Sequence, residues 1–367
     1  MVDDLRACVE QETPSGDPLR LAAFADWLAE YAQSMAGGAA EIVSVGDARH
    51  VRVRVPAPSS VRPLLVLAHF DTVWPAGTLE TRPFRVQDGI ARGPGCFDMK
   101  AGIVQAFWAV RALRENGEAV PPLVFLCSCD EEIGSPTSQP LIEEEARGCA
   151  AALVVEPSLD GALKTARKGV AIYRLEVTGR SAHSGLDPET GVSAVEELAR
   201  LVLDLLALAD PALGTTLNIG VVHGGTRHNV VAAHSEAEFD ARFTSAAEVE
   251  RVLAGVAALR PHHPGARIAV TGGLRWPPME RTAETAELYE EARAVAGELG
   301  FDVGETLAGG ASDGNFAAAA GAIVLDGLGP VGGGAHAVDE HVVVTEMPRR
   351  AALLARLLQR LEPRTRQ

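Results

Sequence analysis

The sequence predicts an α/β protein: a helix-covered, mostly parallel sheet interrupted by a smaller ferredoxin-like βαββαβ insert. Three observations carry this. The runs RPLLVLAHF, LVFLCSC and AALVVEP are short and apolar on both faces, and they alternate with segments of helical period. That pattern belongs to strands covered by helices on each side. Between about residues 167 and 277 the order changes to strand, helix, strand, strand, helix, strand, the ferredoxin-like unit. Helix, strand and helix then return, so the insert divides one domain into residues 1–166 and 278–367.

Taken in order, DPLRLAAFADWLAEYAQS repeats its apolar residues with helical spacing. EIVSV and HVRVRV alternate as strands, and RPLLVLAHF is a buried strand. AGIVQAFWAVRALRENG is a helix closed by glycine. LVFLCSC, LIEEEARG and AALVVEP follow as strand, helix and strand. In the insert, GVAIYRLEVTG, TLNIGVVHGG, HSEAEFDARFT and ARIAVTGG are strands; VSAVEELARLVLDLLALA and AAEVERVLAGVAAL are helices. TAELYEEARAVAGELG, GAIVLDGLG and TEMPRRAALLARLLQRLE complete the chain as helix, strand and helix.

Composition bounds the class. In 367 residues, 47% are hydrophobic, enough for a large core, and the net charge is −16. That charge argues against nucleic acid or an anionic membrane as partner. No apolar run reaches the length of a membrane span, and MVDDLRACVE lacks a signal-peptide pattern. The five cysteines are scattered and match no zinc knuckle or disulfide framework. The expectation is a cytoplasmic protein with reduced thiols. Its only lysines are Lys100, Lys164 and Lys168, which leaves 30 arginines among 33 basic residues. All three lysines stand near the motifs described next, where a compact ammonium suits a specific task.

The chemistry gathers at strand ends. LLVLAHFD carries His69 and Asp71, and CSCDEEIG carries Glu131 and Glu132. LVVEP carries Glu156, GPGCFDMKAG brings Asp98 ahead of a helix, and GGGAHAVDEH offers His336 far downstream. Sites in open α/β sheets form at the carboxyl ends of strands, and this strand assignment places all of these residues but His336 there. Each piece has a bland reading alone: His-x-Asp pairs are common, acidic runs are usually solvated, and Glu156 before Pro157 can simply end a strand. Together, imidazoles and carboxylates in this number suit zinc or a similar divalent ion. There are too many carboxylates for one tetrahedral ion, and two ions sharing one carboxylate would use them. One acid must stay free as a base, which gives Glu132 to the metal and Glu131 to the proton.

At these motifs the sequence resembles the dinuclear zinc glutamate carboxypeptidases and their aminoacylase, succinyl-diaminopimelate desuccinylase and acetylornithine deacetylase relatives. The segments AHFDTVWPAGTLETRPFRVQDGIARGPGCFDMKAG, CDEEIGSPTSQPLIEEEA, VVEPS, GRSAHSG, HNVV, FDARF, GGASDGNF and GGGAHAVDEH carry the likeness over residues 65–342. The first segment is most similar to the glutamate carboxypeptidase branch. The resemblance implies one zinc on His69, Asp98 and Glu156, and a second on Asp98, Glu132 and His336, with cobalt or manganese as possible substitutes. It implies Glu131 as general acid/base, Asp71 as the carboxylate behind His69, and a cis peptide after Asp98. The insert would be a lid and dimerisation domain. Its His183 would reach the partner subunit's site to steady an oxyanion. Arg242 and Asn229 would grip a substrate carboxylate, Lys164 would stand near the hinge as a cation for an acidic side chain, and Gly309 and Gly310 would line the pocket. His341 is not expected to be a ligand.

The expected activity is zinc-dependent hydrolysis of an amide, releasing a C-terminal amino acid, with glutamate the first candidate. The substrate would be a small acyl-amino acid or peptide, and the partner a second copy of the chain. An N-acyl-amino-acid deacylase or dipeptidase would use the same machinery. A non-catalytic metal-containing binding protein and a two-metal phosphoesterase are the readings from other classes. The free carboxylate of Glu131 speaks against the first, and Arg242 speaks weakly against the second.

Overall fold

The computed structural model describes residues 1–56 and 61–362. They form two compact units. Along the chain the elements run α1 (Val2–Val9), α2 (Pro18–Ala36), β1 (Ala39–Val45), β2 (Ala48–Val55), β3 (Leu64–His69), α3 (Thr78–Thr81), β4 (Arg85–Gln87), β5 (Ile90–Arg92), α4 (Ala101–Glu115), β6 (Leu123–Ser128), α5 (Gln139–Gly148), β7 (Ala151–Val154) and β8 (Leu163–Arg167). Next come β9 (Gly169–Thr178), α6 (Ala194–Leu206), β10 (Thr216–Gly224), β11 (His234–Phe243), α7 (Ala246–Ala257) and β12 (Arg267–Trp276). The chain closes with α8 (Ala283–Glu298), β13 (Glu305–Ala308), α9 (Asp313–Ala319), β14 (Val324–Leu325), β15 (Gly332–Gly333), β16 (His341–Val343) and α10 (Glu346–Leu361).

The first unit comprises Met1–Arg167, Met279–Ala308 and the chain from Ser312 onward. Its main sheet has the order β1-β2-β6-β3-β7-β14. β6, β3, β7 and β14 are mutually parallel, whereas β1 and β2 join antiparallel. This is the α/β sheet the apolar runs predict. Every residue of β3, β6 and β7 is buried, which is why these runs are apolar on both faces. Phe24 of α2 packs on Phe70 with ring centroids 5.2 Å apart, and Phe107 of α4 stacks on Phe125 of β6 at 4.7 Å. Gly102 lets the first turn of α4 press on the end of β7; a Cβ there would lie 2.0 Å from the Val155 carbonyl oxygen. A second, smaller ladder orders β15-β16-β5-β4.

The second unit comprises Lys168–Pro278 with Gly309–Ala311. Its sheet has the order β10-β11-β9-β12, antiparallel throughout. The order β, α, β, β, α, β with this neighbour pattern is the ferredoxin-like unit. β9 alternates as the sequence does, burying Ala171, Tyr173, Leu175 and Val177. Tyr173 stacks on Phe239 at 5.0 Å, and α6 turns Leu198, Leu201 and Leu205 onto the same core. Ser193 and Ser245 cap α6 and α7 by accepting the amides of Glu196 and Glu248.

Candidate metal centre

β3 ends at His69, and its 2% exposure shows how deeply the imidazole is set. Nε2 stands 3.2 Å from Asp98 Oδ1 and 3.3 Å from Glu156 Oε1. On the other side, Nδ1 lies 3.1 Å from the Asp71 carbonyl and 3.4 Å from its carboxylate. His336 Nε2 stands 3.3 Å from Asp98 Oδ2 and 3.1 Å from Glu132 Oε2. The two oxygens of Asp98 thus face two different histidines. Glu131 keeps its own carboxylate 4.0 Å from His69 Nε2.

Asp98 is not at a strand end, in contrast to the expectation that everything but His336 lies there. It belongs to the turn leading into α4, and the Asp98–Met99 peptide is cis, the isomer the resemblance implies. His336 holds a left-handed φ of 62°. A non-glycine residue in that region is costly and clusters at functional sites. Three glycines, 332–334, precede it, yet the chain puts the imidazole where φ is positive.

The surrounding scaffold fixes these groups. Asp71 is fully buried and accepts the backbone amides of Glu131 at 3.1 Å and Glu132 at 3.2 Å, plus the Ser15 hydroxyl at 2.8 Å. One carboxylate therefore orients both His69 and the DEE turn, which resolves how adjacent acids point different ways. Arg167 is buried, pairs with Asp326 at 2.6 Å and reaches Glu156 Oε2 at 3.4 Å. Asp313 accepts hydroxyls from Ser128 at 2.7 Å and Ser135 at 2.5 Å. Glu340 accepts Trp74 Nε1 and the amides of Gly95, Phe97 and Asp98, all within 2.7–3.1 Å. Gly95 has φ of 69°, and a Cβ there would lie 2.4 Å from Thr72 Cγ2, so the turn admits only glycine. Sequence reasoning missed Glu340, Arg167, Asp326 and Asp313. Glu340 had a signal: it lies four residues past His336 within the quoted motif.

Electrostatics set the site's character. Burial disfavours the imidazolium of His69, but bonds to Asp71, Asp98 and Glu156 outweigh it and hold its pKa well above the ordinary value. Bonds to Asp98 and Glu132 push His336 up to about 10. Burial, with Glu156, Asp313 and Glu132 nearby, keeps the Glu131 carboxyl well above the usual carboxylate range. Groups shifted this far in one cluster mark a functional site. Ligand atoms of His69, Asp98 and Glu132 all lie within 4.8 Å of one another. Mixed nitrogen and carboxylate donors, oriented by buried hydrogen bonds, fit a zinc-type ion.

A second convergence, His50, Cys129 and Asp130, does not fit one. His50 Nδ1 accepts the Cys129 amide at 3.3 Å, and Nε2 faces Thr137 Oγ1 at 3.0 Å. Thr137 and Ser138 both donate hydroxyls to Asp130 at 2.6 Å. Burial pushes the Cys129 thiol up to about 12. This closed network braces the DEE turn from behind.

The model of peptidase family M20/M25/M40 matches residues 65–360. The chain belongs to this family. It is therefore an M20 hydrolase of peptide or N-acyl amide bonds, with a metal site. The M20 chain is 31% identical over 302 residues to carboxypeptidase G2 of Pseudomonas sp., covering 80% of this chain and 73% of that one. It is 31% identical over 320 residues to succinyl-diaminopimelate desuccinylase of Thioalkalivibrio sulfidiphilus, covering 82% and 84%. Aminopeptidase PepT of Bacillus cereus shares the fold with a TM-score of 0.81 at 23% identity, covering 98% and 97%. The M20 metallo-carboxypeptidase of Sulfolobus solfataricus has a TM-score of 0.71 at 16% identity, covering 98% of both chains.

The remaining residues of the sequence reading fall in two places. Lys164 is buried on β8 in the first unit, where burial and Arg167 depress its ammonium below the ordinary value. His183, Asn229, Arg242, Gly309 and Gly310 belong to the second unit. There Arg242 donates to the Gly309 carbonyl at 3.0 Å and pairs with Asp240 at 3.0 Å. His183 is exposed, with Nδ1 accepting the Gly185 amide at 3.1 Å, and the Asn229 carbonyl accepts the Ser184 amide at 3.1 Å. Among the described residues, no helix is long and apolar enough to cross a membrane.

Proposed function

We propose that this M20 chain is a two-zinc hydrolase that releases a C-terminal amino acid, with glutamate the first candidate, from an N-acyl or peptide-like substrate. One observation carries the two-ion reading: the two oxygens of Asp98 face different histidines, 3.2 Å from His69 and 3.3 Å from His336. His69, Asp98 and Glu156 would hold one ion; Asp98, Glu132 and His336 would hold the other. Zinc, when bound, supplies Lewis acidity to a water and to the scissile carbonyl, and cobalt or manganese would serve likewise.

The chain's own residues supply the rest. Glu131 accepts the proton of the attacking water and delivers it to the leaving amine. Asp71 keeps His69 in one tautomer and orientation. The inserted unit's parts follow from the resemblance: His183 donates to the oxyanion in a partner copy, Arg242 and Asn229 take the substrate carboxylate, and Gly309 and Gly310 line its pocket. Lys164, a buried cation, would meet an acidic side chain. The same reading makes the protein a homodimer that works in the cytoplasm.

A deacylase or dipeptidase is the second reading, supported by the desuccinylase relatives. Metal analysis with a substrate panel tests both. The panel contains acyl-glutamates, acyl-aspartates, neutral acyl-amino acids and dipeptides, assayed after chelation and zinc add-back. Close to two zinc ions per chain and zinc-dependent glutamate release support the carboxypeptidase. Preference for another acyl-amino acid moves the assignment to a deacylase, and absence of metal-restored hydrolysis refutes both.

A further inference from the structure

We propose that the first unit carries a second ligand site, an arginine-lined cleft on the β4–β5 hairpin that binds a compact oxyanion. Its registers are unusual for this chain. Arg85 on β4 stands directly opposite Arg92 on β5, and Arg92 stands opposite His341 on β16. Directly opposed residues share a face of the ladder, and like charges so placed repel. Between β1 and β2 the protein does the reverse: Arg52 faces Glu41 and pairs with it at 2.5 Å; and where Glu176 of β9 opposes Glu236 of β11, Arg174 pairs with both. With 49 acidic residues against 33 basic ones, carboxylates are abundant. Yet among the described residues Arg82, Arg85 and Arg92 form no ion pair.

The three arginines share a cleft of about 250 Å³ with Thr81, Pro83 and Val338, and among the described residues no carboxylate lines it. Arg82 is locked in place. Its guanidinium lies 4.3 Å from the Trp74 ring centroid, and Nη2 donates to the Val338 carbonyl at 2.7 Å. Its Nη1 is shielded from solvent without an acceptor among the described residues. An uncompensated buried donor is costly, and converging guanidinium groups match the paired oxygens of a carboxylate or phosphate. An oxyanion supplies the counter-charge that the chain withholds.

The cleft also touches the segment that supports Asp98. Arg92 Nη1 donates to the Asp339 carbonyl at 3.2 Å, and Trp74, which carries Arg82, donates to Glu340 at 2.7 Å. Glu340 in turn holds the Asp98 amide. The cleft thus adjoins the turn that carries Asp98.

Calorimetric titration of the metal-loaded protein with inorganic phosphate, at constant ionic strength, tests this. The wild type is expected to show a saturable class of binding that weakens at least tenfold in Arg92→Ala and in Arg85→Gln. Both variants retain wild-type thermal unfolding in phosphate-free buffer. Phosphate taken up at the metal centre persists in the variants and so separates from the cleft. A parallel titration with acetate distinguishes the source: acetate binding assigns the cleft to carboxylates, and phosphate binding alone assigns it to phosphoryl groups. Identical isotherms for wild type and both folded variants overturn the proposal, whatever the hydrolytic assay shows.

Discussion

Glu340 Oε1 takes the backbone N–H of Asp98 at 3.1 Å across 242 positions of sequence. Its two oxygens together accept four donors, three of them amides of the turn that carries Asp98. A glutamine keeps the shape but offers one oxygen and an NH₂ group that faces amide donors. Glu340→Gln should weaken metal binding by about 10–100-fold, the usual effect of losing a supporting partner. Competition against a chromophoric chelator measures it, and unchanged affinity would remove Glu340 from the support of the site.

Glu131→Gln separates base from ligand. The substitution removes the proposed proton acceptor while leaving the Asp71-bonded amide at 3.1 Å in place. Turnover should fall by about 10²–10⁴-fold, the contribution of a positioned base, with metal content unchanged. Surviving turnover would assign the proton to another group.

Arg167 answers two buried carboxylates, Asp326 at 2.6 Å and Glu156 at 3.4 Å. Breaking a buried pair leaves an uncompensated charge and costs about 3–5 kcal/mol. Arg167→Met should lower the urea midpoint accordingly, and Arg167→Lys should recover only part, since an ammonium cannot bond Asp326 with two donors. Full recovery by lysine would mean that charge alone matters.

Acid should act on the inserted unit through Glu248. This carboxylate at the start of α7 accepts Arg251 Nη2 at 2.6 Å and the Thr215 hydroxyl at 2.5 Å. Those bonds lower its pKa from 4.5 to about 2. A depressed native pKa means stability that is complete above the unfolded value and lost as the pH falls toward the folded one. Thermal unfolding between pH 5 and about 2 should therefore decline less steeply in Glu248→Gln than in wild type. Parallel slopes would show that other carboxylates govern the transition.

The sheet and insert were legible because burial imposes period. β3, β6 and β7 are covered on both faces and read as continuous apolar runs, whereas β9 is half covered and alternates. His69 and the DEE turn follow from strand ends. The β4–β5 hairpin went unread although Asp88-Gly89, with φ of 52° and 76°, is a hairpin turn signal; its strands of three residues are too short to show a period. α1, with eight residues, was missed for the same reason. The supports of the site were not legible because each is defined by its partner. Arg167 meets Asp326 at a separation of 159 and Ser128 meets Asp313 at 185, and no local pattern links such pairs.

The last residue of β8 and the residue that resumes the first unit are bonded to each other in both directions, Arg167 N–H to Met279 O at 2.9 Å and Met279 N–H to Arg167 O at 3.0 Å. For the long segment Lys168–Pro278 the polypeptide thus leaves its host through one doorway and returns through the same one. Whatever is spliced between those two rungs can grow, shrink or be exchanged for another module without moving a strand of the sheet behind it. A short turn grafted from Arg167 to Met279 should yield a host that keeps Glu156, Arg167 and Asp326 in their places. Changes to the inserted segment can thereby proceed apart from the upkeep of the candidate centre.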